Sequence, residues 1–225
     1  MSGCENQNIF SWTHRKGAGG STEFLLADAM KAMEDGDYDR AIEYFNEILE
    51  DDPDNAEALY GKAAAELKKA GFDLEELVTK FIGEEGSSED DLLGTFNLED
   101  VEEGSGNAAD ALKKIADGQA DGSIPADDFD VNVNLGIALT LHAASDLLLW
   151  AQDSGTVEIK DNFSVDIIDD SVSGLKEELQ DARDEVNEAI NYLNVAQNSS
   201  DADISDVMDG IETLKDELDK KISSL

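Results

Sequence analysis

The sequence predicts an all-α fold in which a short helical repeat unit packs with a C-terminal helical region and helical hairpin. Apolar residues recur at steps of three and four along most of the 225 residues, which is the spacing of one face of a helix. Only two prolines, Pro53 and Pro125, interrupt the chain, so long segments lack a helix breaker. A hydrophobic content of 40% is enough to build a core.

The chain is strongly acidic. Its 54 Asp and Glu residues outnumber 16 Lys and Arg residues, so the formal net charge is −38. This charge excludes a nucleic-acid-binding role and disfavours direct adhesion to an anionic membrane, since both need concentrated positive potential. A high-salt environment and a highly soluble exported protein both explain the acidic bias, and the sequence does not separate them.

The N-terminal half divides into three segments. Residues 1–20 sum to a charge of +1 and end in Gly17-Ala18-Gly19-Gly20, which predicts a flexible tether. Residues 21–82 carry the helical repeat pattern. Residues 83–107 are rich in Gly, Ser, Glu and Asp, and predict an acidic loop region.

Residues 108–225 predict a second helical region. A helix at 108–117 precedes an apolar segment at 131–152, which we interpret as a buried core helix because it is apolar on most sides. Polar residues within it argue against a membrane span. Weak alternation over 154–170 predicts a short hairpin or an ordered loop. Two clean amphipathic patterns then predict a helical hairpin at 172–223.

The most specific motif lies at residues 36–53. It reads Gly36-x-Tyr38-x-x-Ala41-x-x-x-Phe45-x-x-Ile48-x-x-x-x-Pro53. It resembles the second half of a tetratricopeptide repeat, in which a glycine turns the chain, a small residue lets paired helices approach, aromatic residues fill the space between them and a proline ends the second helix.

A shift of 34 residues tests for a second repeat. Leu25 maps onto Leu59, and Gly36 maps onto Ala70, but Phe45 maps onto Thr79. The second repeat therefore resembles the family in its first helix and turn, and the resemblance covers about residues 22–82.

The resemblance implies a face that binds a protein or peptide partner, because the first helix of each repeat lines the concave side in this family. The positions implied in this chain are Leu26, Met30, Met33, Tyr60, Ala64 and Leu67. The alternative is that the C-terminal helices cover this face, because two repeats fall below the usual minimum of three.

Cys4 is the only cysteine, so an intrachain disulfide is excluded and a zinc site is disfavoured. The run Met1-Ser2-Gly3-Cys4 resembles the end of a bacterial lipobox, which implies that Cys4 carries a lipid anchor in the cell envelope or periplasm. An ordinary cytoplasmic start with an incidental thiol is the alternative.

No catalytic or cofactor motif stands out. His14 falls in the tether and His142 in the apolar segment, where a core histidine is the expected interpretation. An Asp-rich run at 35–39 lacks the glycine of a calcium loop, and an oxygen-rich loop at 117–132 is more typical of acidic turns than of a cation site. We therefore expect no metal site and no enzyme activity.

The function predicted from these residues is a non-catalytic interaction or scaffold protein of the bacterial cell envelope. One alternative is a periplasmic small-molecule-binding lipoprotein associated with a solute transporter. Another is a self-assembling structural subunit or soluble adaptor of a halophilic organism, joined through residues 1–20. Self-association of so acidic a chain should strengthen as salt screens its charges.

Overall fold

A computed structural model describes residues 20–71, 97–154, 157–159, 165–167, 173–200 and 202–225. These residues form seven helices and one two-stranded hairpin, in agreement with the predicted all-α class. The helices are α1 (Gly20–Glu34), α2 (Tyr38–Asp51), α3 (Ala56–Lys69), α4 (Leu98–Ala116), α5 (Phe129–Ser154), α6 (Leu175–Ser199) and α7 (Ser205–Ser224), and the strands are β1 (Val157–Ile159) and β2 (Val165–Ile167).

Each described helix packs mainly on the described helices that precede and follow it. The buried apolar side chains form three clusters. The first joins α1, α2 and α3, the second joins α3, α4 and α5, and the third joins α5, α6 and α7. Because α3 and α5 each contribute to two clusters, they connect the repeat unit to the C-terminal helices.

The motif residues at 36–53 build the first cluster as the resemblance implies. Gly36 has a φ of 75° and directs the chain from α1 into α2, a conformation that suits glycine. Ala41 and Phe45 are fully buried, and a Cβ atom at Gly61 of α3 would lie 2.3 Å from Cζ of Phe45. The absence of a side chain at Gly61 therefore lets the Phe45 ring lie against α3.

Polar side chains cap the N-terminal ends of α2 and α3. The Asp37 side chain accepts a hydrogen bond from the Arg40 amide at the start of α2. Asn55 does the same for the Ala58 amide at the start of α3, at 3.0 Å. The 34-residue shift places the second turn position at Ala70, but Ala70 is right-handed and the left-handed residue is Gly71, with φ 89°.

The prediction of a loop over 83–107 is wrong for residues 98–107, which form the first half of α4. The glycines that suggested a loop lie where neighbouring helices come close. A Cβ at Gly104 would lie 2.8 Å from Cβ of Ala70 and 3.0 Å from the carbonyl oxygen of Glu66. Asn97 caps the helix by accepting from the Glu99 amide. Residues 72–96, which include the end of the predicted repeat segment 21–82 and the start of the predicted loop region 83–107, lie outside the described residues.

Helix α5 occupies the position expected for a core helix and extends beyond the predicted 131–152. Its Val131 and Leu135 are fully buried in the second cluster, and Leu147 is buried in the third. Among the described helices, α5 alone has the length and mean hydropathy, 1.3 over its most apolar window, to cross a membrane. The polar residues of α5 therefore do not by themselves exclude a membrane-spanning helix. The packing of α5 against α4 and α6 favours its interpretation as a core helix.

The C-terminal region contains both predicted hairpins. Strands β1 and β2 pair antiparallel, with Val157 opposite Ile167 and Ile159 opposite Val165. Helices α6 and α7 pack on each other through the third cluster, which buries Leu179, Val186 and Leu218.

The close packing of α4 on α3 gives a stability prediction. We expect Gly104→Ala to destabilise the protein by about 1–2 kcal/mol, because overpacking against the Glu66 carbonyl outweighs the gain in helix propensity. Gly210→Ala on α7 is the matched control. A Cβ there meets no atom within 4 Å, so we expect about 0.5–1 kcal/mol of stabilisation. Denaturant unfolding of both variants measures the difference, and equal stabilisation by both would contradict the observed packing.

Candidate functional site

Four of the six residues predicted for the partner face are buried. Met33 and Ala64 lie in the first cluster, between α1, α2 and α3. Tyr60 and Leu67 lie in the second cluster, to which α4 and α5 also contribute. The structure therefore corrects the prediction for these four residues: they belong to the core.

Tyr60 links α3 to α5. The Asn134 amide on α5 donates a hydrogen bond of 2.9 Å to the Tyr60 hydroxyl. Burial raises the pKa of Tyr60, so the phenol stays protonated at physiological pH. Leu26 and Met30 of α1 remain partly exposed, and they are the two predicted face residues that a partner can reach without unfolding.

A groove lies on another side of the repeat, between α2, α3 and α4. We call it the α2–α4 groove. Its volume is about 590 Å³. It is lined by amide, lysine, carboxylate and apolar side chains: Asn46, Asn107, Gln119, Lys62, Lys113, Lys114, Asp110, Asp117, Leu49, Pro53, Leu59 and Ala111.

Backbone and side-chain contacts fix the walls of the α2–α4 groove. The amide of Asp121, in the loop after α4, donates a 2.7 Å hydrogen bond to the carbonyl of Asp54 in the turn between α2 and α3. At the same end of α4, Lys113 forms a salt bridge with Glu188 of α6. The Tyr192 hydroxyl of α6 also donates to Asp117, at 2.9 Å. The C-terminal end of α4 and the loop after it therefore contact both α6 and the turn between α2 and α3.

The lysines make the groove electrostatically unusual in so acidic a chain. The hydrogen bond to Glu188 raises the pKa of Lys113, so that ammonium stays charged. Lys62 and Lys114 form no salt bridge within the described residues. Lys62 acts on Glu66 of its own helix, whose pKa is raised by burial and partly lowered by this lysine. Both ammonium groups can therefore donate to an incoming ligand.

The groove offers hydrogen bonding without an evident reactive centre. Amide side chains at Asn46, Asn107 and Gln119 can donate and accept, which suits the backbone of an extended peptide. The apolar floor at Leu49 and Leu59 can take an aliphatic side chain. The groove lining contains no serine, cysteine or histidine that would serve as a nucleophile or base.

The acidic runs considered for calcium have local structural roles. Besides capping α2, Asp37 is part of the Gly36 turn. In the 117–132 loop, Asp121 accepts from the Ser123 amide and Asp128 from the Val131 amide. Among the described residues, no group of three His, Cys, Asp or Glu side chains is arranged to hold a metal ion.

A second depression, of about 540 Å³, lies on the C-terminal helix. All its lining residues, such as Asp216 and Lys220, belong to α7 alone. A surface formed by one helix cannot enclose a ligand, so the α2–α4 groove is the better candidate site.

The groove residues were not predicted as a site from the sequence. Helical periodicity identifies buried faces and leaves polar positions such as Asn46 and Asn107 indistinguishable from ordinary surface. The signal available was the adjacent pair Lys113-Lys114, in a chain with only 16 Lys and Arg residues. Pairing it with Lys62 requires knowing that α4 packs on α3.

Comparison with known proteins identifies one family. Residues 32–71 match the family model of the tetratricopeptide repeat, so this segment is similar to that repeat. The match covers the end of α1, all of α2 and all of α3. Such repeats generally mediate binding of protein partners and are generally non-catalytic. Neither the curated proteins nor the solved structures gave a match.

A matched pair of substitutions tests the corrected position of the predicted face. We expect Leu67→Ala to cost about 2–5 kcal/mol of unfolding free energy, because the side chain is 1% exposed and its loss leaves a cavity. Leu26→Ala makes the same chemical change on partly exposed α1 and should cost clearly less. Urea unfolding measures both. A larger loss for Leu26→Ala would mean that Leu67 is not buried in the second cluster in solution.

Proposed function

With a tetratricopeptide repeat at residues 32–71 as the premise, we propose that the protein is a non-catalytic interaction protein that holds an extended segment of a protein partner in the α2–α4 groove. The observation that carries the proposal is the combination of Lys62 and Lys114, which form no salt bridge within the described residues, with three amide side chains over an apolar floor. Such a lining suits a peptide backbone together with acidic and aliphatic side chains of the partner.

Burial of the predicted face supports the α2–α4 groove, and not the concave face of the repeat, as the partner-binding site. Four of the six residues implied by the family resemblance are in the core. The groove is formed by α2 and α3 of the repeat and by α4 outside it. Partner recognition would then use a surface that exists only when the repeat and the C-terminal region are folded together.

We further propose that the partner is met in the bacterial cell envelope, with Cys4 as the lipid anchor. The support is the lipobox resemblance of residues 1–4, which lie outside the described residues. The proposal requires an apolar signal segment ahead of Cys4 in the precursor. A precursor without such a segment would exclude lipid anchoring and leave the groove proposal intact.

Charge reversal at the groove tests the binding proposal. Peptides would first be selected from a displayed random library on the intact protein. The double variant Lys62→Glu and Lys114→Glu should then weaken their binding about tenfold or more, since one hydrogen bond to a charged group contributes about 1.5 kcal/mol. Titration calorimetry measures the affinities.

The control has the same net charge. Lys31→Glu with Lys176→Glu also reverses two exposed lysines, on α1 and α6, that form no salt bridge within the described residues. We expect this control to retain the affinity of the parent protein. Equal weakening by both double variants would attribute the effect to overall charge. Unchanged binding in the groove variant would exclude the groove as the site.

A further inference from the structure

His142 lies where three helices meet. It belongs to α5, and its side chain is 28% exposed between α4 and α6. Its Nδ1 atom is 2.8 Å from Oε1 of Glu185 on α6, and its Nε2 atom is 3.5 Å from Oε1 of Glu102 on α4. One imidazole therefore faces a carboxylate from each neighbouring helix.

The position of the ring is also set by packing. A Cβ at Gly106 of α4 would lie 2.9 Å from Cδ2 and 3.1 Å from Nε2 of His142. The missing side chain at Gly106 makes room for the ring next to the α4 backbone. His142 therefore stays between its two carboxylates as long as α4 remains packed on α5.

A proton on the ring places one positive charge among three carboxylates. The groups that act on His142 are Glu185 from α6, Glu102 from α4 and Asp146 from α5 itself. Neither Glu102 nor Glu185 forms another salt bridge within the described residues. A neutral imidazole donates from one nitrogen only, whereas the charged ring donates from both and offsets part of the repulsion among the three carboxylates.

We propose that His142 is a charge-dependent clamp that joins α4 to α6 across α5, tight when the ring is protonated and loosened when it is neutral. The clamp goes beyond the proposed partner binding and does not depend on it. The clamp contacts α4 in its first half, at Glu102. The Lys113–Glu188 salt bridge joins the other end of α4 to α6. Of these two links between α4 and α6, only the one through His142 titrates near neutral pH.

The direction of the pH effect follows from the pKa. The hydrogen bond to Glu185, followed by the negative charges around the ring, raises the pKa of His142 above its ordinary value. A group with a raised pKa in the folded state binds its proton more tightly there than in the unfolded chain. The clamp is thus fully present below the unfolded pKa of about 6.5 and is lost as pH rises through the folded pKa.

The chain has only two histidines, which makes a direct measurement simple. In a proton NMR titration of the imidazole signals, His14→Gln assigns the remaining signal to His142. We expect His142 to titrate above the ordinary histidine pKa of about 6.5. If His142 titrates at or below about 6.5, the proposal is overturned.

Unfolding experiments test whether that proton joins the helices. His142→Gln should lower the denaturation midpoint more at about pH 6 than at about pH 8.5, because the charged form carries the clamp. An equal loss for His142→Gln at both pH values would show that the ring acts by packing alone.

A second variant keeps the ring in place. Glu102→Gln removes the carboxylate on α4 and retains the contact between His142 and Gly106. We expect it to reduce the difference in midpoint between about pH 6 and about pH 8.5 relative to the parent protein. The same difference in the variant and the parent would show that α4 takes no part in the clamp.

Discussion

The packing of α5 against its neighbours is the constraint on which the rest of the structure depends. A Cβ at Gly136 would lie 2.6 Å from Cγ of Leu193 and 3.2 Å from the carbonyl oxygen of Ala189, so α5 and α6 meet at backbone distance. Towards the repeat, Asn134 donates to Tyr60 of α3. These contacts make α5 part of two buried clusters. The repeat and the C-terminal hairpin thus share one continuous core, since α3 and α5 meet in the second cluster.

This arrangement explains how so short a repeat is stabilised. A tetratricopeptide unit leaves an apolar side that a further repeat would bury. Here Tyr60 and Leu67, which the family resemblance assigned to a binding face, are buried in the cluster that α3 shares with α4 and α5. The same packing places α4 beside α2 and creates the lysine-lined groove. Burial of part of the predicted partner face and formation of the α2–α4 groove therefore both follow from the way in which the C-terminal helices pack on the repeat.

Most of the fold could be predicted from local pattern, and the site could not. The Gly36 turn, the buried Ala41 and Phe45 and the core helix follow from spacing that depends on near neighbours in sequence. Residues 98–107 were mispredicted because Gly104 and Gly106 serve a distant contact, with α3 and with His142, that no local pattern contains. The groove brings Asn46, Lys62 and Lys114 together from three helices, so its composition depends on tertiary packing. Whether the C-terminal helices cover the predicted partner face also depends on tertiary packing, so the sequence left both alternatives open.

The central claim, that the repeat and the C-terminal helices fold as one unit around α5, is tested most directly by native-state hydrogen exchange followed by mass spectrometry. The shared clusters predict that amides in the buried middles of α3 and α5 exchange only on global unfolding, with the free energy measured by denaturant. The contrary result is that α3 exchanges at a much lower free energy while α5 and α6 stay protected. That outcome would show that the repeat unfolds independently of the C-terminal helices. The partner face implied by the family resemblance would then be accessible.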